Sequence, residues 1–177
     1  MEQIIQAFKT IGHAFVQEPS IWWFLAPIFI LWLGMEIYFG QYKKESLGWN
    51  SILANSISFA WINIASFRLI FMEGVEEFTP RILILGIFLI YSLALIFIAF
   101  FHKFSTKVGK ILAGPTQIYF LSTLSILWGQ GVLAITEWIV IDLLIAFIII
   151  KILFKLLRRN LGTLGEVEAV KKGENPL

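Results

Sequence analysis

Cysteine is absent from this chain of 177 residues, and charged residues make up only 15% of it. Soluble globular domains contain about 25% charged residues. The lack of cysteine excludes disulfides, thiolate metal sites and cysteine nucleophiles. The formal net charge of +2 is too small to indicate a nucleic acid as partner. We therefore expect no nucleic-acid binding and no chemistry that depends on a thiol.

Hydrophobic residues, in contrast, account for 58% of the chain. They form several runs close to the length of about 20 residues that crosses a bilayer as a helix. This pattern predicts an all-α fold: a polytopic helical membrane protein with about five transmembrane helices, embedded in the lipid bilayer. The predicted spans, in chain order, are residues 21–39, 51–72, 82–101, 111–128 and 138–154.

Three segments are expected along the chain. Residues 1–19 predict an amphipathic interfacial helix, because apolar residues such as Ile4 and Ile11 share one helical face and polar residues occupy the other. Residues 20–159 are predicted to form the five-helix transmembrane domain. Residues 160–177 are predicted to form a polar cytoplasmic tail.

The basic residues between the predicted spans fall mainly on one side of the membrane. The positive-inside rule assigns the side that is rich in lysine and arginine to the cytoplasm. We therefore expect a multi-pass protein of the cell membrane, with the N-terminus outside and the C-terminus in the cytoplasm. The cytoplasmic basic residues would be Lys43, Lys44, Lys103, Lys107, Lys110, Lys151, Lys155, Arg158, Arg159, Lys171 and Lys172.

The second predicted span is unusually polar for a membrane helix, so we expect it to be the inner helix of the bundle. Its polar face and a threonine stripe on the fourth span allow two interpretations. They could line a hydrophilic crevice, or they could form a helix contact held by hydrogen bonds of about 1 kcal/mol or less each. The contact is the more common arrangement. The residues concerned are Asn55, Ser58, Asn63, Ser66, Thr116 and Thr123.

Two charged residues lie at matching depths near the outer ends of their spans. Arg68 is in the second span and Asp142 is in the fifth. A charge within the bilayer costs a few kcal/mol unless it is paired or reaches water, so a buried ion pair between them is one hypothesis. In the alternative interpretation, Arg68 extends to lipid headgroups or meets Glu73 or Glu76 in the acidic loop.

A second pair of charges is predicted in the inner leaflet. Glu36 lies near the end of the first span, and Lys151 lies in the fifth. An ion pair between them would hold two helices together. Alternatively, Glu36 could pair with Lys43 or take up protons in a transport cycle.

The fourth predicted span begins near an unusual dipeptide, Gly114–Pro115. Proline removes a backbone hydrogen bond, so this site predicts a kink near the cytoplasmic side. The alternative is a broken helix, which would free backbone groups to bind an ion.

No constellation in the sequence indicates catalysis. His13 and His102, the only two histidines, are expected at opposite membrane surfaces, which argues against a shared metal site. No glycine-rich phosphate loop and no serine with a partnered base can be assembled. We therefore expect neither a metal nor another cofactor, and no enzymatic activity.

Two functional hypotheses remain. The first is a channel or transporter, working as a homo-oligomer, with the polar second and fourth spans lining the route. The second is a non-catalytic subunit or scaffold packed against other membrane subunits, in which the same polar residues make contacts.

Overall fold

A computed structural model describes residues 2–41 and 48–171. Every regular element in these ranges is helical, in agreement with the all-α prediction. One turn of 3₁₀-helix, Pro19–Ile21, leads directly into the second helix. The α-helices are α1 (Glu2–Gln17), α2 (Trp22–Gln41), α3 (Trp49–Glu73), α4 (Phe78–Phe100), α5 (Thr106–Ala113), α6 (Pro115–Gly129) and α7 (Glu137–Lys171).

The protein is a helical membrane protein, but the described residues contain four helices long and apolar enough to cross a bilayer rather than five. The fifth predicted span, 138–154, lies in α7. Every stretch of 18 residues in α7 contains at least three acidic or basic residues, so α7 carries more charge than the four candidate spans. The four candidate spans are Pro19–Gln41, Trp49–Met72, Phe78–Phe100 and Lys107–Gly129.

The N-terminal segment forms the expected amphipathic helix, and this helix packs against the bundle. Ala7 and Ala14 are buried on one face of α1, which contacts α7. Its C-terminal end is tied to α2, because the indole Nε1 of Trp22 donates a hydrogen bond of 2.8 Å to the carbonyl oxygen of Phe15. The face of α1 that carries Ala7 and Ala14 is therefore covered by protein.

The most buried helix is α6, not α3 as the polarity of the second span suggested. In an apolar stretch of 18 residues within Lys107–Gly129, 72% of the residues are buried, against 39% in the corresponding stretch of Trp49–Met72. Helix α6 contacts α2, α3, α4, α5 and α7. Its small and hydroxylated side chains, such as Ser122 and Ser125, are fully buried and allow neighbouring helices to approach closely.

Helices α2 and α7 run in the same direction along one side of the bundle. The rings of Trp32 and Phe154 have centroids 5.3 Å apart. One turn further along both helices, Glu36 meets Arg158. The C-terminal part of α2, the start of α6 and the middle of α7 consequently meet at one end of the bundle.

Candidate functional site

A break between α5 and α6 shapes this end of the bundle. Helix α5 ends at Ala113, Gly114 is extended with φ −65° and ψ 155°, and α6 begins at Pro115. The span is therefore broken here, and the simple kink expected from the sequence is wrong. A side chain at position 114 would have its Cβ only 2.5 Å from the carbonyl oxygen of Lys110, so this break requires glycine.

Neighbouring helices satisfy carbonyl groups that the break leaves free. The Nδ2 of Asn55 donates a hydrogen bond of 3.1 Å to the carbonyl oxygen of Ala113. The hydroxyl of Tyr91 donates one of 2.7 Å to the carbonyl oxygen of Leu112. Backbone groups inside a bilayer must find such partners. Asn55 therefore joins the second and fourth spans, as one sequence interpretation proposed, by closing the end of α5.

The other side of the break presents free amide groups. The first hydrogen bond of α6 runs from the amide of Ile118 to the carbonyl oxygen of Gly114. The amides of Thr116 and Gln117 precede this bond and have no acceptor within their own helix, while Pro115 carries no amide hydrogen. Amide groups at a helix start attract negative charge.

Glu36 lies at the centre of the site and is completely buried, although it belongs to a candidate membrane span. Its Oε1 accepts a hydrogen bond of 2.7 Å from the hydroxyl of Thr116. Its Oε2 accepts one of 2.6 Å from Nε of Arg158, whose side chain is 38% exposed. Both carboxylate oxygens are thus paired, and Arg158 and Thr116 cover the carboxylate from solvent.

A cleft of about 480 Å³ opens above this group, between α2, the α5–α6 break and α7. Four basic side chains line it, and Glu36 is its acidic residue. The cleft therefore carries an excess of three positive charges, which favours an anion. Its lining consists of Glu36, Phe39, Lys110, Ile111, Gly114, Pro115, Thr116, Gln117, Lys151, Phe154, Lys155 and Arg158.

The predicted ion pair between Glu36 and Lys151 is not formed, although both residues line the cleft. Arg158, about two helical turns further along α7, takes the position beside Glu36. The Nζ of Lys151 lies 4.9 Å from the centroid of the Phe147 ring instead. Lys43, the other proposed partner of Glu36, lies outside the described residues.

The predicted pair between Arg68 and Asp142 is also not formed. Arg68 is exposed and makes no ion pair with any described residue. Asp142 is fully buried, and neither of its carboxylate oxygens has a hydrogen-bond partner among the described residues. The reason is the packing: α3 lies against α4 and α6, while α7 lies mainly against α1 and α2. Glu73 was an alternative partner proposed for Arg68, and its side chain lies outside the part of the chain that the structure describes.

The remaining polar residues of α3 mostly form a helix contact. The hydroxyl of Ser125 donates a hydrogen bond of 2.9 Å to Oδ1 of Asn63. Ser66 packs directly against Gly129, where an added Cβ would lie 2.6 Å from the Ser66 Cβ. Ser58, in contrast, is exposed. Thr123 is buried and donates its hydroxyl to the carbonyl oxygen of Tyr119 in its own helix. These contacts agree with the packing interpretation.

A buried cation, Arg81, closes the opposite end of the bundle. Its Nε donates a hydrogen bond of 2.7 Å to the carbonyl oxygen of Glu76. Its Nη1 donates to the carbonyl oxygens of Trp128 and Leu133, at 2.9 and 3.0 Å. Its Nη2 lies 3.3 Å from Oε2 of Glu77. Arg81 thereby joins the start of α4 to the connection between α6 and α7.

The sequence interpretation missed Lys110, Lys155 and Arg158 as site residues. A signal for two of them was present, because Lys151, Lys155 and Arg158 have the spacing i, i+4, i+7 that places side chains on one helical face. These residues were assigned only to the cytoplasmic flank of a span. Lys110 carries no comparable signal, since the break at Gly114 brings it to the cleft.

The four long apolar helices define the molecule as an integral membrane protein of the helical class. Comparisons with protein-family models, with curated proteins and with solved structures found no significant match to the chain.

Proposed function

We propose that this protein is a membrane transporter for a small anion, and that the cleft is its binding site. The observation that carries the proposal is the set of four basic side chains around a cleft next to a buried, fully paired glutamate. A charged residue within a membrane segment, such as Glu36, is costly and commonly marks a substrate pathway. A cleft with low-dielectric walls also concentrates ions of opposite charge.

A transporter fits this geometry better than an open channel. The inner wall of the cleft is closed where Glu36 holds Thr116 and Arg158 together. A route from the cleft to the other side of the membrane would require the helices to move. Transporters work in this way, by exposing a binding site to one side at a time.

The proposal revises the route suggested by the sequence. Helix α6 contributes to the cleft and α3 does not. The cleft lies within a single chain, so binding would not require the homo-oligomer expected from the sequence. We also propose that the cleft faces the cytoplasm, because its basic residues are among those that the positive-inside rule places there. The proposal retains a non-enzymatic function without cofactors.

Anion uptake into liposomes that contain the purified full chain tests this proposal. The double variant Lys151→Gln/Lys155→Gln removes two charges from the cleft. The control Lys103→Gln/Lys107→Gln removes two exposed charges that do not line the cleft. Each charge near a bound anion contributes on the order of 1 kcal/mol, so the cleft variant should slow uptake about tenfold or more.

The control variant should retain nearly the wild-type rate. A panel of phosphate, sulfate and citrate covers the main shapes of small anions. Uptake of none of them would contradict a transporter and favour the alternative of a subunit or scaffold. Equal loss of uptake in both double variants would show that net charge, and not the cleft, is responsible.

A further inference from the structure

We infer that the anion bound in the cleft carries a phosphate group joined to an apolar or uncharged body, as in a phospholipid headgroup or a soluble phosphate ester. This inference rests on the proposed function, because it assigns a substrate class to the same cleft. It is drawn from three properties of the lining: the donors left uncommitted, the charge, and the apolar wall.

The donors in the cleft outnumber those that a carboxylate uses. Glu36 engages only Nε of Arg158, and the two Nη atoms make no hydrogen bond to any residue that the structure describes. As far as the described residues go, the guanidinium therefore keeps two donors for a ligand. Thr116 and Gln117, whose amides have no acceptor within their own helix, also line the cleft.

Phosphate groups match this arrangement of donors. A phosphate monoester carries a charge of about −1.5 to −2 at neutral pH and has three strong acceptor oxygens. Arginine binds phosphate oxygens through two parallel hydrogen bonds, and helix starts bind phosphate through backbone amides. The excess of three positive charges, from Lys110, Lys151, Lys155 and Arg158 opposite Glu36, suits such a ligand better than a single carboxylate.

The apolar wall indicates that the ligand is larger than an inorganic ion. Phe39, Ile111 and Phe154 line the cleft beside the basic residues, and Ile111 is 65% exposed. The volume of about 480 Å³ lies within the range of small-molecule sites, roughly 300–1,000 Å³. A phosphate with an attached body would place its charge among the donors and its remainder along this wall.

Binding to the full chain in maltoside micelles, which contain no phosphate, tests the inference. The phosphate probes are two monoesters: glycerol phosphate for the soluble source and phosphatidic acid for the lipid source. Citrate and oleate are the matched carboxylate probes. The variant Arg158→Lys keeps the charge and loses the paired donors, and Arg159→Lys, an exposed neighbour outside the cleft, is its control.

At least one phosphate probe should bind more tightly than both carboxylates, and Arg158→Lys should weaken that binding about tenfold while Arg159→Lys leaves it unchanged. The probe that binds identifies the source of the phosphate. If Arg158→Lys yields little folded protein, Lys110→Gln serves as the second variant, because it leaves the Glu36–Arg158 pair intact. It removes a positive charge from the cleft and should therefore weaken phosphate binding.

Three results would overturn the inference, and they are distinguishable. Carboxylates that bind as tightly as the phosphate probes would refute the substrate class and leave an anion transporter standing. Binding of no anion at all would refute the proposed function as well. Equal weakening by Arg158→Lys and Arg159→Lys would show that the donor pair of Arg158 does not hold the ligand.

Discussion

Replacement of Arg81 by lysine should destabilise the protein markedly, although it conserves the charge. Two nitrogens of the guanidinium donate three short hydrogen bonds, to the carbonyl oxygens of Glu76, Trp128 and Leu133. The side chain is only 3% exposed, so water does not replace lost partners. A lysine ammonium has a single nitrogen, so it cannot reach the carbonyl oxygen of Glu76 and those of Trp128 and Leu133 at once.

The magnitude follows from the hydrogen bonds that lysine fails to make. Hydrogen bonds to charged groups are worth about 1.5–3 kcal/mol each. The carbonyl oxygen of Trp128 also accepts a bond from the amide of Gly131, so it remains partnered after the substitution. The expected loss therefore corresponds to one or two bonds at the lower end of this range, or about 1.5–3 kcal/mol of unfolding free energy.

Unfolding in mixed micelles with increasing SDS, followed by tryptophan fluorescence, measures this loss. Arg68→Lys is the matched control, because Arg68 is exposed and forms no ion pair with any described residue. A surface change of this kind should alter stability by no more than about 0.5 kcal/mol. If the two variants differ from each other by less than that, the buried guanidinium does not hold the α6–α7 connection.

Two further predictions concern the contact between α3 and α6. Gly129→Ala should lower the unfolding free energy by about 1–3 kcal/mol in the same SDS titration, because the new methyl group would lie 2.6 Å from the Cβ of Ser66. The control Gly34→Ala should be neutral or slightly stabilising, because a methyl group there would meet no neighbouring side chain or helix within 4 Å. A double-mutant cycle with Asn63→Ala and Ser125→Ala should give a coupling of about 0.6 kcal/mol, and zero coupling would contradict the bond between them.

Much of the fold could be predicted from the sequence, because length and hydrophobicity are local properties. The four spans and the amphipathic first helix were placed within a few residues of their observed bounds. The polarity of α3 correctly indicated protein contacts for Asn55 and Asn63. It did not reveal that α6 is the more buried helix, because burial depends on how many neighbours a helix has.

The charged residues show the limit of such reasoning most clearly. The sequence identified Glu36 and Lys151 as functional candidates, and both line the cleft. Their pairing could not be predicted, because matching depth in the membrane does not determine which faces of two helices meet. The partner of Glu36 proved to be Arg158, a residue 122 positions away.

The sequence alone predicts a helical membrane protein from its long apolar runs, since a hydrocarbon environment accepts only long apolar segments with internally paired backbones. It also determined where polar side chains occur along each helix. Only the tertiary structure shows that the break at Gly114, the end of α2 and one face of α7 form a cationic cleft. This arrangement depends on how the helices are rotated and which of them are in contact, and both arise from packing between segments distant in the chain.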